Sequence, residues 1–194
     1  MSLLKRFQTP LYHGAWFAFS GDRSDLRAEI GAFLRGEFED PEGVLVVDEQ
    51  GPHWKGSREI HLSYAHTEGM ALLVCSQGCA LGVDLEAGTR EPVNPPLTIA
   101  ERFFAPEETA RLQALADNSP ADMKNAFLDL WLKKESYGKL TRTGLKHSLP
   151  VRIADLDQVI FEEAPVAPVG YRSVVARFRS GDPRKTLPSG PADR

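Results

Sequence analysis

The chain has 194 residues, of which 42% are hydrophobic and 26% are charged, and its formal net charge is −4. This is the composition of an ordinary soluble globular protein, and a net negative charge argues against a nucleic-acid-binding protein. Two cysteines are too few for a disulfide scaffold, and no apolar run predicts a signal peptide or a transmembrane helix. We therefore expect a cytoplasmic protein that binds neither nucleic acid nor membrane.

The first half of the chain predicts one helix among several short strands. The helix is indicated by apolar residues at helical spacing between the capping residue Ser24 and Gly36, namely Leu26, Ile30, Phe33 and Leu34. Strands are predicted at 15–19, 44–47, 60–64, 70–75 and 80–85. We expect the last two strands to form a hairpin around the turn at 76–78.

The second half predicts helices followed by a return to strands. The stretch 87–96 is rich in Gly and Pro and is the predicted link between the halves. Pro106 is suited to begin a helix, and Ser119 is suited to cap a longer helix that carries Phe127 and Trp131. Strands are predicted at 151–153, 159–161 and 171–178, and the Pro- and Gly-rich tail at 180–194 is expected to be loose. The pattern favours an α+β protein with two lobes of similar size.

Two carboxylates occur together near the end of the predicted strand at 80–85. In Gly82–Glu86 (GVDLE), apolar and acidic residues alternate, so Asp84 and Glu86 project from one face, about 6.6 Å apart along the strand. A solvent-facing edge strand would explain these acids equally well. Gly82 and the turn-rich sequence that follows favour a functional strand end instead.

A third carboxylate lies on the long predicted helix. In Trp131–Lys139 (WLKKESYGK), Glu135 continues the helical row of Phe127 and Trp131, and Lys139 lies one turn further on. An intrahelical Glu135–Lys139 pair would explain these two residues without a site. If the helix and the strand face each other, three carboxylates suit Mg²⁺ bound together with substrate phosphates, and Lys139 adds a positive charge for a phosphate.

These two segments, about fifty residues apart, resemble the paired signature of the 4′-phosphopantetheinyl transferases. Their order and spacing are most similar to the two-lobed, surfactin-type (group II) branch. The resemblance runs from about residue 59 to 145. It implies an α+β fold of two similar lobes related by pseudo-twofold symmetry, with lobes at 1–88 and 89–179 and a flexible tail at 180–194.

The resemblance also implies an activity and roles for individual residues. Members transfer the 4′-phosphopantetheine arm of coenzyme A to a serine of an apo acyl or peptidyl carrier protein, releasing 3′,5′-ADP, and depend on Mg²⁺. By motif, Asp84, Glu86 and Glu135 would bind Mg²⁺. Glu135 would also be the catalytic base, directly or through a water, and Lys139 would contact the pyrophosphate as the second catalytic residue.

The other end of coenzyme A is assigned by a weaker match. The segment Ala65–Thr67 aligns with the Ser-His-Ser segment of the family, which implies that His66 and Thr67 contact coenzyme A, with His66 at the 3′-phosphate. Lys55 matches a basic residue that precedes that segment. Ala65 lacks the hydroxyl found in the family, and no basic residue before Lys55 can be assigned to the adenine end.

The expected partner is an acidic carrier protein, and the expected oligomeric state is a monomer. Basic residues around the second motif are candidates for attracting such a partner, namely Lys133, Lys134, Arg142 and Lys146, although ordinary solvated surface explains each of them as well. Two other functions remain open at this stage. The chain could be a non-catalytic homologue that binds coenzyme A or a carrier protein, or another Mg²⁺-dependent phosphate-ester enzyme.

Overall fold

The structure, a computed structural model, describes residues 2–49, 51–88 and 94–179. Its mixed α and β content agrees with the predicted α+β class. The strands are β1 (Ser2–Gln8), β2 (His13–Phe19), β3 (Val44–Asp48), β4 (Gly51–Lys55), β5 (His61–Thr67), β6 (Gly69–Ser76), β7 (Leu81–Ala87), β8 (Val159–Glu162) and β9 (Tyr171–Phe178). The helices are α1 (Arg23–Glu37), α2 (Pro96–Phe103), α3 (Pro106–Asn118), α4 (Pro120–Leu140) and α5 (Leu145–Ser148), followed by a 3₁₀ turn at Ile153–Asp155.

A four-stranded antiparallel sheet in the order β1-β2-β6-β5 forms the N-terminal part. Strand alternation gives this sheet two apolar faces, because Phe17 and Leu73 point to one side while Trp16 and Leu72 point to the other. The first face is covered by the apolar stripe of α1 and by Trp54 of β4. The second face packs against β7 and β9, so both sides of the sheet are buried.

The second sheet has the order β7-β9-β8 and is also antiparallel. Val83 and Leu85 of β7 pack into the core that contains Trp16. The opposite face of β7 lies against α4, and Gly82 makes this contact possible. A Cβ at Gly82 would overlap the Ser136 carbonyl oxygen and the Leu140 amide nitrogen of α4. The strand therefore lies between the N-terminal sheet and the helix.

The helix α4 is the centre of the C-terminal part. Ser119 caps it by accepting a hydrogen bond from the Asp122 amide, as the sequence predicted. Phe127 and Trp131 pack with Phe104 in a cluster formed with α2 and α3. Among the described residues, no helix combines the length and the apolar character needed to cross a bilayer.

Three predictions of local structure are wrong. Strands β6 and β7 exist but do not form a hairpin, because β6 pairs with β2 and β5 while β7 pairs with β9. The predicted strand at 151–153 is replaced by the 3₁₀ turn after α5. Helix α1 is capped by Asp22 instead of Ser24, and it extends through Gly36 to Glu37.

The sequence analysis missed β1, β4, α2 and α5. The predicted tail at 180–194 lies outside the described residues, as does part of the predicted link, at 89–93. Strand β7, which a division at residue 88 assigns to the N-terminal lobe, is hydrogen bonded to β9 and so shares a sheet with the C-terminal part. The lobe boundaries and the pseudo-twofold relation remain predictions.

Candidate functional site

A cleft of about 430 Å³ separates β5 from the end of α4, and the turn between β3 and β4 closes one side of it. His66 lines the cleft from β5, Asp84 lines it from β7, and Lys139 and Arg142 line it from the C-terminal end of α4. The two motifs identified in the sequence therefore meet at one opening.

The position of Asp84 follows from the packing of β7. Because Val83 and Leu85 fill the core on one face of the strand, residues 82, 84 and 86 must face α4. The main chain of β7 is fixed further by β5, since the Ser63 hydroxyl accepts a hydrogen bond from the Val83 amide at 3.1 Å. The Asp84 carboxylate is consequently held close to the helix with only 9% of its side chain exposed.

Lys139 makes the contact between the helix and the strand. Its ammonium lies 2.8 Å from Asp84 Oδ1 and 2.9 Å from the Val83 carbonyl oxygen, and its side chain is 33% exposed. A carboxylate removed from water needs such a partner, since the desolvation of an isolated charge is costly. Lys139 therefore binds β7, and the intrahelical Glu135–Lys139 alternative does not explain this contact.

Glu86 and Glu135 are both partly exposed, and both form interactions in the structure. Glu86 shares the α4-facing side of β7 with Asp84, and Glu135 lies one helical turn before Lys139. Within residues 2–49, 51–88 and 94–179, no three His, Cys, Asp or Glu side chains lie close enough together to share a metal ion. The three carboxylates are thus brought to one region without forming a closed cluster.

His66 lies between this cleft and a neighbouring one of about 510 Å³. Its ring packs on Phe19 at 4.7 Å between centroids. Burial lowers the pKa of His66 below its usual 6.5, and the positive charges of Arg23 and Lys139 lower it further, against a smaller opposing effect of Asp84. His66 is therefore a neutral ring at pH 7 that lies near two cations, which is a suitable environment for an anion.

Thr67 lines the neighbouring cleft beside His66. Its hydroxyl oxygen is buried and has no hydrogen-bond partner among the residues that the structure describes. Buried hydroxyls are normally satisfied, so this atom is available to a ligand or a water. Lys55 is different: it is exposed at the end of β4 that pairs with Val44, far from the β3–β4 turn that borders the cleft. The structure therefore does not bring Lys55 to the cleft.

Two arginines that the sequence analysis did not assign to coenzyme A lie near histidines of the cleft. Arg23, the first residue of α1, lies close enough to His66 to lower its pKa. Arg142 is near His61, whose pKa is lowered chiefly by burial and also by this arginine. Arg142 lines the cleft, whereas Arg23 is known only to be near His66. Neither arginine lies in one of the two motifs.

One predicted carrier-attracting residue is wrong. Lys134 is fully buried, and its ammonium binds the carboxylate of Glu108 at 2.6 Å and the carbonyl oxygens of Leu149 and Val151 at 2.8 and 2.6 Å. It also lies over the ring of Phe104. Lys134 therefore joins α3, α4 and the segment after α5. Its charge is buried and is not accessible to a partner protein. Lys133 pairs with Asp129 one turn earlier on α4.

Comparison with known proteins gives a match for the part of the chain that contains the two motifs. Residues 80–165 match the model of the 4′-phosphopantetheinyl transferase superfamily, and this segment contains both motifs and the whole of α4. This part of the chain is similar to that superfamily. The resemblance seen in the sequence is thereby confirmed for the superfamily, whereas the surfactin-type branch remains a prediction.

Two named proteins are similar over longer segments. A 4′-phosphopantetheinyl transferase of Bacillus subtilis is 30% identical over 128 residues, which are 63% of this chain and 54% of that protein. A Synechocystis protein that is provisionally named a 4′-phosphopantetheinyl transferase is 31% identical over 101 residues, which are 52% of this chain and 39% of that protein. The chain thus spans about half or less of the length of these relatives.

Proposed function

We propose that the cleft binds coenzyme A and that the chain transfers the 4′-phosphopantetheine group to a serine of an apo acyl or peptidyl carrier protein, with release of 3′,5′-ADP. The observation that carries the proposal is the contact between Lys139 and Asp84, which joins the two family motifs at the edge of one cleft. Because one chain supplies both motifs, we propose that a monomer is active. We also propose the surfactin-type branch, with lobes at 1–88 and 89–179.

The positive charges around the cleft suit the phosphates of coenzyme A. Lys139 lies at one end, and Arg23 is near His66 at the other. Phosphate binding would raise the pKa of His66 because a nearby negative charge favours the protonated ring. We therefore assign the 3′-phosphate to the region of His66 and Thr67, and the pyrophosphate to the region of Lys139. The exposed position of Lys55 gives it no supported role in this arrangement.

The donor chemistry of the site suits a divalent cation. Asp84, Glu86 and Glu135 offer only carboxylate oxygens, which are preferred by Mg²⁺, and the Asp84 carboxylate is already held against a positive charge. We propose that these three residues bind Mg²⁺, which requires their side chains to turn towards one ion, because among the described residues they do not lie close enough together to share one. When bound, the ion would supply electrostatic stabilisation of the pyrophosphate leaving group.

Glu135 is the proposed general base. It lies on α4 one helical turn before Lys139, is partly exposed, and is proposed to take the proton of the attacking serine hydroxyl, directly or through one water. The helix fixes its position because Ser136 and Gly138 on the following turn are buried against β7 and α5. A rigid element therefore holds the proposed base.

The decisive experiment mixes the protein with coenzyme A, Mg²⁺ and apo carrier proteins of the acyl, peptidyl and aryl types, and weighs the carriers by mass spectrometry. A phosphopantetheine mass gain is expected on at least one carrier. Glu135→Ala should reduce the rate by about 10²-fold or more, the usual contribution of a general base. Lys124→Met is the matched control on the same helix and should retain the rate within about threefold, because this exposed side chain lies about three turns from Glu135.

Each alternative function predicts a different result. A non-catalytic homologue would bind coenzyme A without modifying any carrier. Another phosphate-ester enzyme would release 3′,5′-ADP at the same rate with and without a carrier. Absence of a mass gain on every carrier, with folded protein, would refute the proposed transfer.

A further inference from the structure

The cleft between β5 and the end of α4 is lined, among the described residues, by charges of both signs. Glu49 and Asp84 carry the negative charges, and Lys139 and Arg142 carry the positive ones. The Lys139 ammonium lies 2.8 Å from Asp84 Oδ1, so these two charges largely neutralise each other. Without Arg142 the lining would have a net negative charge, which would repel a ligand that carries phosphates.

The charge of Arg142 is available to such a ligand. The side chain is exposed, and no carboxylate of the described residues forms an ion pair with it. Arg142 also acts on β5 across the cleft: burial lowers the pKa of His61 most, Glu59 raises it, and Arg142 lowers it further. A guanidinium in this position suits phosphate oxygens because its planar group can donate two parallel hydrogen bonds.

The backbone of Arg142 is a second indication that the side chain has a role. Helix α4 ends at Leu140, and the φ of Arg142 is 56°, in the left-handed region that glycine usually occupies just after a helix. The turn is held by hydrogen bonds from the Thr143 and Gly144 amides to the Gly138 carbonyl oxygen. An arginine is strained where a glycine would not be, and residues held in such conformations cluster at functional sites.

We propose that Arg142 binds the pyrophosphate of coenzyme A and supplies the positive charge on which the affinity for this ligand depends. This inference rests on the proposed function, because it takes coenzyme A as the ligand. It makes Arg142 a substrate-binding residue instead of a charge that attracts the carrier protein.

The position of Arg142 favours the pyrophosphate over the 3′-phosphate. The Arg142 amide donates a hydrogen bond to the Lys139 carbonyl oxygen, so the residue lies beside the region assigned to the pyrophosphate. The 3′-phosphate is assigned to His66, which is five residues from His61 along β5, or about 16 Å in an extended strand. Arg142 is near His61, at the opposite end of that strand.

The first test measures binding of coenzyme A by calorimetry in one Mg²⁺-containing buffer, with no carrier protein present. Arg142→Met should weaken binding about tenfold or more, because a phosphate loses a charge-assisted hydrogen bond. Lys146→Met removes the same charge at an exposed residue that does not line the cleft, and should weaken binding by less than about twofold. Unchanged affinity in Arg142→Met, or equal losses in the two variants, would overturn the proposal.

Dephospho-coenzyme A, which lacks the 3′-phosphate and retains the pyrophosphate, distinguishes the two phosphate groups. Arg142→Met should weaken binding of this ligand by the same factor as binding of coenzyme A. If the loss disappears with dephospho-coenzyme A, Arg142 contacts the 3′-phosphate and the assignment to the pyrophosphate is wrong.

Arg142→Gly distinguishes a contact with the ligand from a role in the fold. Glycine relieves the left-handed backbone, so the thermal midpoint should rise by about 2–4 °C, whereas the affinity for coenzyme A should fall as in Arg142→Met. A loss of both stability and affinity would mean that Arg142 acts through the fold, and would refute the direct contact.

Steady-state transfer separates a role towards coenzyme A from a role towards the carrier. Arg142→Met should raise the KM for coenzyme A about tenfold and leave the KM for the carrier within about twofold; the reverse pattern would assign Arg142 to the carrier. The two failures are distinguishable. Arg142-dependent binding of coenzyme A without carrier modification would refute only the proposed transfer, and normal transfer by Arg142→Met with unchanged affinity would refute only the role of Arg142.

Discussion

Two lysines of helix α4 that lie five residues apart, Lys134 and Lys139, pair with carboxylates of other elements, and these two pairs differ in almost every physical respect. Lys134 and Glu108 are buried, and the ammonium has two further carbonyl acceptors. Lys139 and Asp84 lie at a cleft edge, and the Lys139 side chain is one-third exposed. The first pair ties elements of the C-terminal part to one another, whereas the second joins α4 to β7 where the motifs meet. The comparison teaches that two lysines of one motif can have different roles: Lys134 stabilises the packing of the C-terminal part, and Lys139 presents its charge at the cleft.

The largest expected effect is on the buried pair. Lys134→Met should lower the free energy of unfolding by about 3–5 kcal/mol, because it leaves the Glu108 carboxylate buried without its cation. Urea unfolding measures this loss, and Lys133→Met at the exposed pair should cost less than about 0.5 kcal/mol. Similar losses in the two variants would mean that burial does not distinguish the pairs.

The double variant Lys134→Met/Glu108→Leu sharpens the same point. Removing both charges should recover most of the stability, because an apolar pair carries no desolvation cost. Some loss should persist, since the Ile153 amide donates a hydrogen bond to Glu108 Oε1 in the wild type. If the double variant is no more stable than Lys134→Met, the stability lost in Lys134→Met is not caused by the unpaired Glu108 carboxylate.

The next effect concerns the close contact between β7 and α4, the two elements that Asp84 and Lys139 join. Gly82→Ala should cost about 1–3 kcal/mol, because its Cβ would overlap the main chain of α4 at Ser136 and Leu140, which cannot move as a side chain could. It should also reduce carrier modification, since β7 carries Asp84. Gly78→Ala is the control, because a Cβ there would have open space around it. A stable, fully active Gly82→Ala protein would show that close packing of β7 on α4 is dispensable.

A smaller effect is expected at the cleft pair itself. In a chelator, Lys139→Met should lower the free energy of unfolding by about 1–2 kcal/mol, because Asp84 loses a charge-assisted hydrogen bond. Added Mg²⁺ should restore this loss by binding the folded state. The same addition should not restore Lys134→Met, and thermal unfolding with and without Mg²⁺ compares the two. Equal responses to Mg²⁺ would remove the distinction between the pairs.

The smallest expected effect is on the pH dependence of stability, through His66 in the cleft. The pKa of His66 is lowered in the folded protein, mainly by burial, so the unfolded chain binds a proton more readily. Stability is therefore expected to fall as the pH drops below about 6.5, and His66→Gln should make this fall shallower. Denaturant titrations at pH 7.5 and 5.5 check the slope. An unchanged or steeper slope in His66→Gln would contradict the direction of the shift.

Much of the fold could be predicted because local patterns determined it. The strands β2, β3, β8 and β9 and the helices α3 and α4 were found close to their observed positions from alternation, helical spacing and caps. Strand pairing could not be found in this way. Residues 70–75 and 80–85 are separated by a turn that suits a hairpin, but β7 pairs with β9, almost ninety residues later in the chain. Pairing depends on which apolar faces can be buried together, and a local pattern does not contain that information.

For the site, the sequence by itself determined the residue types, their order and their spacing, and these indicated the superfamily and a carboxylate–lysine chemistry. Only the tertiary structure decided which charges meet. It directed Lys139 to Asp84, buried Lys134 against Glu108, placed Arg23 near His66 and left Lys55 exposed away from the cleft. The physical reason is that the energy of a charge depends on its burial and on its partners, and both are properties of the packed chain.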